Sequence, residues 1–228
     1  MVDLAGQLDL SKGTVHGLLR TLACAGFVEQ DEETGKYKLG AAMLHIGYSY
    51  LDGNELRARS LNWADSLAAR TGEAVRVGIL HDSEVLIVHH VFRPNDGLQA
   101  LDIGSLMPAH ASAMGKVLIA GRPSAGVELA DRRLAAFTEA TITERSRLTR
   151  ELARIRKRGW SSEIGELSPD QMSIAAGVID RRGLTVGAIA VSGTRDRLLV
   201  GGRPRAELVG DVREAARAVS RELGAIPW

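Results

Sequence analysis

Ser11-Lys12-Gly13-Thr14-Val15-His16-Gly17-Leu18-Leu19-Arg20-Thr21-Leu22 reads as one amphipathic helix. Val15, Leu18, Leu19 and Leu22 recur at i, i+3, i+4 and i+7, the apolar stripe of a helix laid on a core. Ser11, Lys12, Gly13, Thr14, His16 and Arg20 lie at the N-terminal tip or on the other side. Small polar and cationic groups placed there suit contacts to bases and phosphates.

The flanks turn this helix into a module. Upstream, Leu4 and Leu8 stand four apart and predict a short helix with one buried side. Asp9-Leu10-Ser11 is a tight connection, and the Ser11 hydroxyl is suited to cap the second helix. Two short helices joined this closely form a helix-turn-helix. Gly26 ends the second helix. Phe27–Gln30 and Lys36–Leu39 then bracket the polar turn Asp31-Glu32-Glu33-Thr34-Gly35, a β-hairpin wing that offers Lys36 and Lys38 to phosphate. Residues 1–40 hold four basic and six acidic side chains, a net −2. Positive charge must therefore be focused at the helix tip and wing, which predicts modest affinity per module and reliance on dimerisation.

The chain has 228 residues, room for a small N-terminal domain and one larger domain with a core. Its net charge of +1 points to no partner. The single cysteine, Cys24, excludes an internal disulfide and a multi-cysteine zinc site, and it reads as a small core residue. No apolar run reaches the ~20 residues of a membrane span, and no leader is visible, so a cytoplasmic protein without membrane contact is expected.

After the wing, residues 41–56 read as a linker helix and 57–228 as the larger domain, with a break in helix at Gly53-Asn54. Ala74–Leu80 and Val85–Val91 form a β-hairpin, with a third strand expected over Leu98–Ile103 and a short helix over Ala111–Ala120. Thr143–Arg158 is amphipathic on Leu148, Leu152 and Ile155 and stops at Gly159. Strands follow at about 160–164, 173–179 and 185–192, then a helix over 204–223 carrying Leu208, Val212, Ala215, Val219 and Leu223 on one face. Antiparallel strands in two blocks with helices between them predict an α+β domain with room for a small-molecule cavity at one end of the sheet.

Three stretches carry a resemblance to the IclR-type bacterial transcriptional regulators over essentially the whole chain. They are the winged segment ending Gly35-Lys36-Tyr37-Lys38-Leu39-Gly40, the run Ile103–Lys116, and Gly165-Glu166 with Ser173-Ile174-Ala175-Ala176 and the closing hairpin to Gly193. The run Ile103–Lys116 matches the family's Leu-Pro-x-His-Ala-Ser/Thr-Ala-x-Gly-Lys segment. The resemblance implies a winged helix-turn-helix and a GAF-like effector-binding domain. It also implies a homodimer or dimer of dimers on double-stranded DNA at a palindromic operator, released or re-seated by a small-molecule effector. Lys12–Gly17, Glu55–Arg59 and Val85–Asp96 are similar to the branch of the family that governs glycerol use in actinomycetes, which implies glycerol or glycerol 3-phosphate as effector. The family's winged domain begins with a helix that would precede Met1, so its first helix is expected to be missing here, through either a misassigned start or a truncated domain. A sensor with a truncated, non-functional DNA-binding arm is therefore the second reading. Gly17 stands where many members have arginine, and Pro169-Asp170-Gln171-Met172 and Ala176-Gly177 depart from the usual loop and strand.

By the same resemblance, Met107, Ala109, Ser112 and Ala113 fall on the effector pocket wall, with Glu163, Glu166 and Ser173 across from them. A free helix start near Pro108–His110 would favour an anion or a hydroxyl-rich ligand. The plainer alternatives are that Met107 is core, Ser112 a local helix cap, and Glu163 and Glu166 solvated loop acids. His89 and His90 point to opposite faces of a strand, so at most one could join His110, and no metal site is expected. No cofactor is implied. The chain lacks Gly-x-Ser-x-Gly, a phosphate-loop glycine run and a paired nucleophile and base, so no catalytic residue is assigned.

Overall fold

Ser11 does cap a helix. In the computed structural model, which describes residues 2–93, 100–122 and 133–225, its backbone is extended and its Oγ accepts from the Thr14 N–H at 3.1 Å. Two units divide the chain, residues 1–54 and 55–228.

In the first unit, α1 (Val2–Leu8) leads through Asp9, at φ 52°, into α2 (Lys12–Cys24). Gly26, at φ 74°, and Phe27 turn their N–H groups back onto the carbonyls of Ala23 and Leu22, closing the helix. The wing is antiparallel, β1 (Val28–Gln30) on β2 (Tyr37–Leu39), with Glu29 opposite Lys38. Asp31 fastens its turn by accepting from the Thr34 N–H and hydroxyl at 2.7 and 2.6 Å. The core is small: Ala5, Val15 and Leu19, with Val28 and Tyr37 against them.

Three expectations fail here. The four-residue stripe of α2 is half realised, because Leu18 and Leu22 are 49% and 40% exposed. Val15 and Leu19 form one i, i+4 row that meets α1 and the wing. Leu18 and Leu22 form the next row, over which no described residue closes. In α1 the inward position goes to Ala5, while Leu4 and Leu8 are exposed. Cys24 is exposed rather than core, since it sits in the last turn of α2 beyond the small cluster.

Gly40 is buried and donates to the Phe27 carbonyl at 2.8 Å, so α3 (Ala41–Asp52) starts directly from the wing. That helix stops at Asp52, short of residue 56, and buries none of its side chains. Met43, Leu44, Ile46, Tyr48 and Tyr50 are all exposed.

The second unit is built on a six-stranded antiparallel sheet, β5-β4-β3-β8-β7-β6. Its strands are β3 (Ala74–His81), β4 (Glu84–Val91), β5 (Leu106–Pro108), β6 (Trp160–Ile164), β7 (Gln171–Ile179) and β8 (Thr185–Thr194). One face carries α4 (Glu55–Thr71) and α8 (Ala206–Glu222), and the other carries α5 (Ala113–Gly121) and α6 (Arg145–Arg158). A four-residue helix, α7 (Arg195–Leu198), and a two-residue hairpin, β9 (Leu199–Val200) with β10 (Arg203–Pro204), join β8 to α8. The periodic stripes land where expected except at one end: Leu148, Leu152 and Ile155 of α6, and Leu208, Val212, Ala215 and Val219 of α8, are buried, whereas Leu223 falls just past the end of α8 and is half-buried. Gly159, at φ 76°, ends α6.

The third strand is misplaced in the sequence reading. Residues 94–99 lie outside the described ones, 100–103 form no strand, and pairing with β4 begins at Leu106. Asp102 and Gly104 break the run, the first drawn to Arg76 and the second at φ 86°. Helix α5 also starts later than predicted, capped by Ser112 rather than entered at Pro108–His110.

Candidate functional site

A cavity of about 250 Å³ lies in the second unit on the α5 side of the sheet. Register places its polar wall. Glu163 of β6 is the direct partner of Ser173 of β7, so both side chains face the same way. The Ser173 hydroxyl donates to Glu163 Oε1 at 3.2 Å, and the Glu166 N–H donates to Glu163 Oε2 at 3.0 Å. Glu163 is 4% exposed. Burial pushes its carboxyl up to about 7, against the pull of that N–H and of Lys116. It is therefore divided between acid and carboxylate near neutral pH.

A second polar cluster stands across the cavity. Arg76 of β3 holds Asp102 through Nε at 2.6 Å and also binds the Ser192 hydroxyl of β8. The Asp102 N–H donates to His90 Nδ1 at 3.3 Å. Burial, then the Arg76 charge, holds His90 below the usual imidazole range, which suits that accepting role. Met107, Met114, Leu167, Met172 and Ala190 supply the apolar lining.

Of the effector residues expected from sequence, Met107, Glu163 and Ser173 meet in this cavity. Ala109, Ser112 and Ala113 are fully buried outside it. Ser112 Oγ accepts from the Gly115 N–H at 3.1 Å, the local capping role. Ala109 backbone presses on Gly115, where any Cβ would overlap it. Glu166 turns away and forms a buried ion pair with Lys116 of α5. Burial, opposed by Lys116, pushes the Glu166 carboxyl up. Neither glutamate is a solvated loop acid.

Sequence reasoning missed Arg76, Asp102 and Ser192. One signal was present, a lone arginine between Val75 and Val77 in an otherwise apolar strand, which must find a partner when its strand is buried.

The histidines separate. His89 is depressed by burial and by Arg57 of α4, whereas His90 faces Arg76 and Asp102. His110 Nε2 contacts the Ala135 carbonyl at 2.9 Å. Among the described residues, no three His, Cys, Asp or Glu side chains are grouped to hold a metal ion.

In the first unit, Ser11, Lys12, Gly13, Thr14, His16 and Arg20 are exposed, as are Lys36 and Lys38 on the wing. Lys12, His16 and Arg20 repeat every four residues and so share one face of α2. Ser11 is engaged as the cap and with the Thr14 hydroxyl at 2.9 Å. Lys38 lies 3.4 Å from its cross-strand partner Glu29, which halves the free positive charge of the wing.

Residues 48–221 match the family described as bacterial transcriptional regulator IclR C-terminal, and residues 1–32 match the IclR helix-turn-helix domain. The glycerol operon regulatory protein of Streptomyces coelicolor is 49% identical over 223 residues, covering 98% of this chain and 88% of that relative. A regulator structure from Rhodococcus superposes with TM-score 0.82 at 28% identity, covering 98% of this chain and 89% of the other. An IclR homologue from Microbacterium hydrocarbonoxydans, complexed with 4-hydroxybenzoate, shares the fold with TM-score 0.80 at 22% identity, covering 98% and 90%.

Proposed function

Since the chain belongs to the IclR family of bacterial transcriptional regulators, with a winged N-terminal unit and an effector-binding C-terminal domain, we propose that it grips a palindromic operator as a homodimer, or a dimer of dimers, in the cytoplasm, and that glycerol in the 250 Å³ cavity alters that grip. The observation that carries the ligand is the charge of the wall. Arg76 is neutralised by Asp102, which leaves Glu163 and Ser173 facing the ligand with no spare cation among the described lining residues. A carboxylate and a hydroxyl accept and donate hydrogen bonds to a polyol but repel a phosphate. Glycerol therefore fits this cavity and glycerol 3-phosphate does not. At about 30 Å³ per water, the space equals roughly eight waters, ample for a six-atom polyol. The glycerol operon relative supports the same ligand.

On the DNA side, Lys12, Thr14, His16 and Arg20 enter the groove while Ser11 and Gly13 shape the helix tip, and Lys36 and Lys38 meet phosphate from the wing. The apolar, unburied α3 supports pairing with a second copy.

Fluorescence anisotropy with promoter DNA tests this. Binding should fall steeply with salt, and glycerol should shift the affinity of the full chain. Ser173→Ala should abolish the glycerol shift while leaving ligand-free binding intact. Lys12→Ala or Arg20→Ala should weaken binding and lower the salt slope by about 0.9 each. The exposed Leu4, Leu8, Leu18 and Leu22 favour a second reading, a glycerol sensor whose winged unit does not hold DNA. Glycerol binding without any DNA binding at low salt would select it, and loss of both would overturn the proposal.

A further inference from the structure

Helix α6 carries seven arginine and lysine residues and one glutamate. Three of the arginines, Arg147, Arg150 and Arg154, line an open crevice of about 520 Å³ between α6 and the edge strand β6. Ser162 and Ile164 form its other wall, and Lys116 and Glu166 reach it from inside. Arg154 pairs with Glu151 at 3.5 Å, and Lys116 with Glu166. Among the described residues, Arg147 and Arg150 make no ion pair or hydrogen bond, although Glu139 and the charge of Glu166 lie in the same crevice. The Glu166 carboxylate shows a second unsatisfied group. Its Oε1 is taken by Lys116, while its Oε2 is buried without a well-formed hydrogen bond, the Ile142 N–H being the one backbone donor directed at the carboxyl among the described residues. Glu166 is only 7% exposed, and a buried carboxylate oxygen calls for a hydrogen-bond donor.

We infer that this crevice is a second ligand site for a small hydroxylated oxyanion, with Arg147 and Arg150 on the anion and Glu166 Oε2 accepting from the hydroxyl. Two guanidinium groups i, i+3 on one helix face can clasp a phosphate or carboxylate from two sides. The buried acceptor next to them rejects an anion that brings no donor. The site stands apart from the polyol cavity, where Arg76 is already held by Asp102 and Ser192, but it shares one strap with it. Glu166 presents its side chain to the crevice and its N–H to the Glu163 carboxylate of the cavity.

Titration calorimetry on the full chain, with glycerol saturating, tests the inference using four probes: glycerol 3-phosphate, glycerate, inorganic phosphate and further glycerol. Glycerol 3-phosphate or glycerate should bind with its own stoichiometry, the tighter of the two naming the oxyanion, and each more tightly than inorganic phosphate. The double variant Arg147→Ala/Arg150→Ala, altered only at exposed positions, should weaken that binding about tenfold or more and leave glycerol affinity unchanged. Ser173→Ala should do the reverse, so failure at one site is separable from failure at the other. The inference is overturned if glycerol displaces the anion, if the double variant binds it normally, if inorganic phosphate binds equally well, or if neither hydroxylated anion binds.

Discussion

The two units use apolar side chains differently. The second unit seats Leu67, Ile87, Leu118, Ile155, Met172 and Ile174 at 2% exposure or less, between a sheet and helices on both faces. The first unit encloses Ala5, Val15 and Leu19 and leaves leucines on α1 and α2, and most of α3, uncovered. A layer on each side of a sheet makes every inward residue core, whereas two short helices and a two-stranded wing enclose one row only. The second unit can fix a cavity by packing. The first relies on caps and turns, and its apolar rows on α1, α2 and α3 stay exposed.

Spectroscopy separates the units, because among the described residues Trp63 and Trp160 fall in the second and Tyr37, Tyr48 and Tyr50 in the first. Urea unfolding followed by tryptophan fluorescence should show the largest effect for Lys116→Ala, about 3–5 kcal/mol, since Glu166 is left charged and buried without its partner. An equal loss for Lys38→Ala, whose ion pair with Glu29 is exposed, would erase the contrast between the units; the expected change there is within about 1 kcal/mol.

Glu163→Gln comes next, and its sign depends on pH. A carboxyl raised from 4.5 to about 7 by folding is bound to its proton more tightly in the native state. Native stability is therefore lost as pH rises from about 4.5 through 7. At pH 8 the variant should gain up to about 3 kcal/mol over the parent, and near pH 4.5 almost nothing. Because a polyol donates best to the ionised carboxylate, glycerol affinity should rise between pH 6 and 8 in the parent and stay flat in the variant.

In the first unit, Leu19→Ala should cost about 2 kcal/mol or more and Leu18→Ala less than about 0.5, read by amide exchange or tyrosine signals. Equal losses would mean that the Leu18 row is covered in solution. One further small effect is a gain. A Cβ at Gly17 meets nothing within 4 Å, so Gly17→Ala should stabilise α2 by about 0.5–1 kcal/mol.

The sequence was most legible where a period repeats. Leu148, Leu152 and Ile155, and Leu208, Val212, Ala215 and Val219, announce α6 and α8 with their buried faces. It was least legible where a tertiary partner decides. Leu98–Ile103 looks like a strand until Asp102 finds Arg76. Glu163 and Glu166 look equivalent, yet Gly165, at φ 70°, turns the chain between them and sends one to the cavity and the other to Lys116. Leu18 and Leu22 fit the helical period as well as Val15 and Leu19, and only the layers present decide which row is covered.

Gly115 sets a limit on how this protein could change its chemical taste. Because the backbone of Ala109 leaves no room for any side chain there, the seating of α5 behind the cavity cannot be altered at Gly115 without unseating the helix, and of its first turn Met114 alone among the described residues reaches the lining. The strand side of the cavity has no such constraint: Ser173, Ala190 and Ser192 share one face of the sheet by register, and Met107 joins them in the lining. A library aimed at a new effector belongs at those four positions, and lineages that diverge in effector should do so by repainting the sheet.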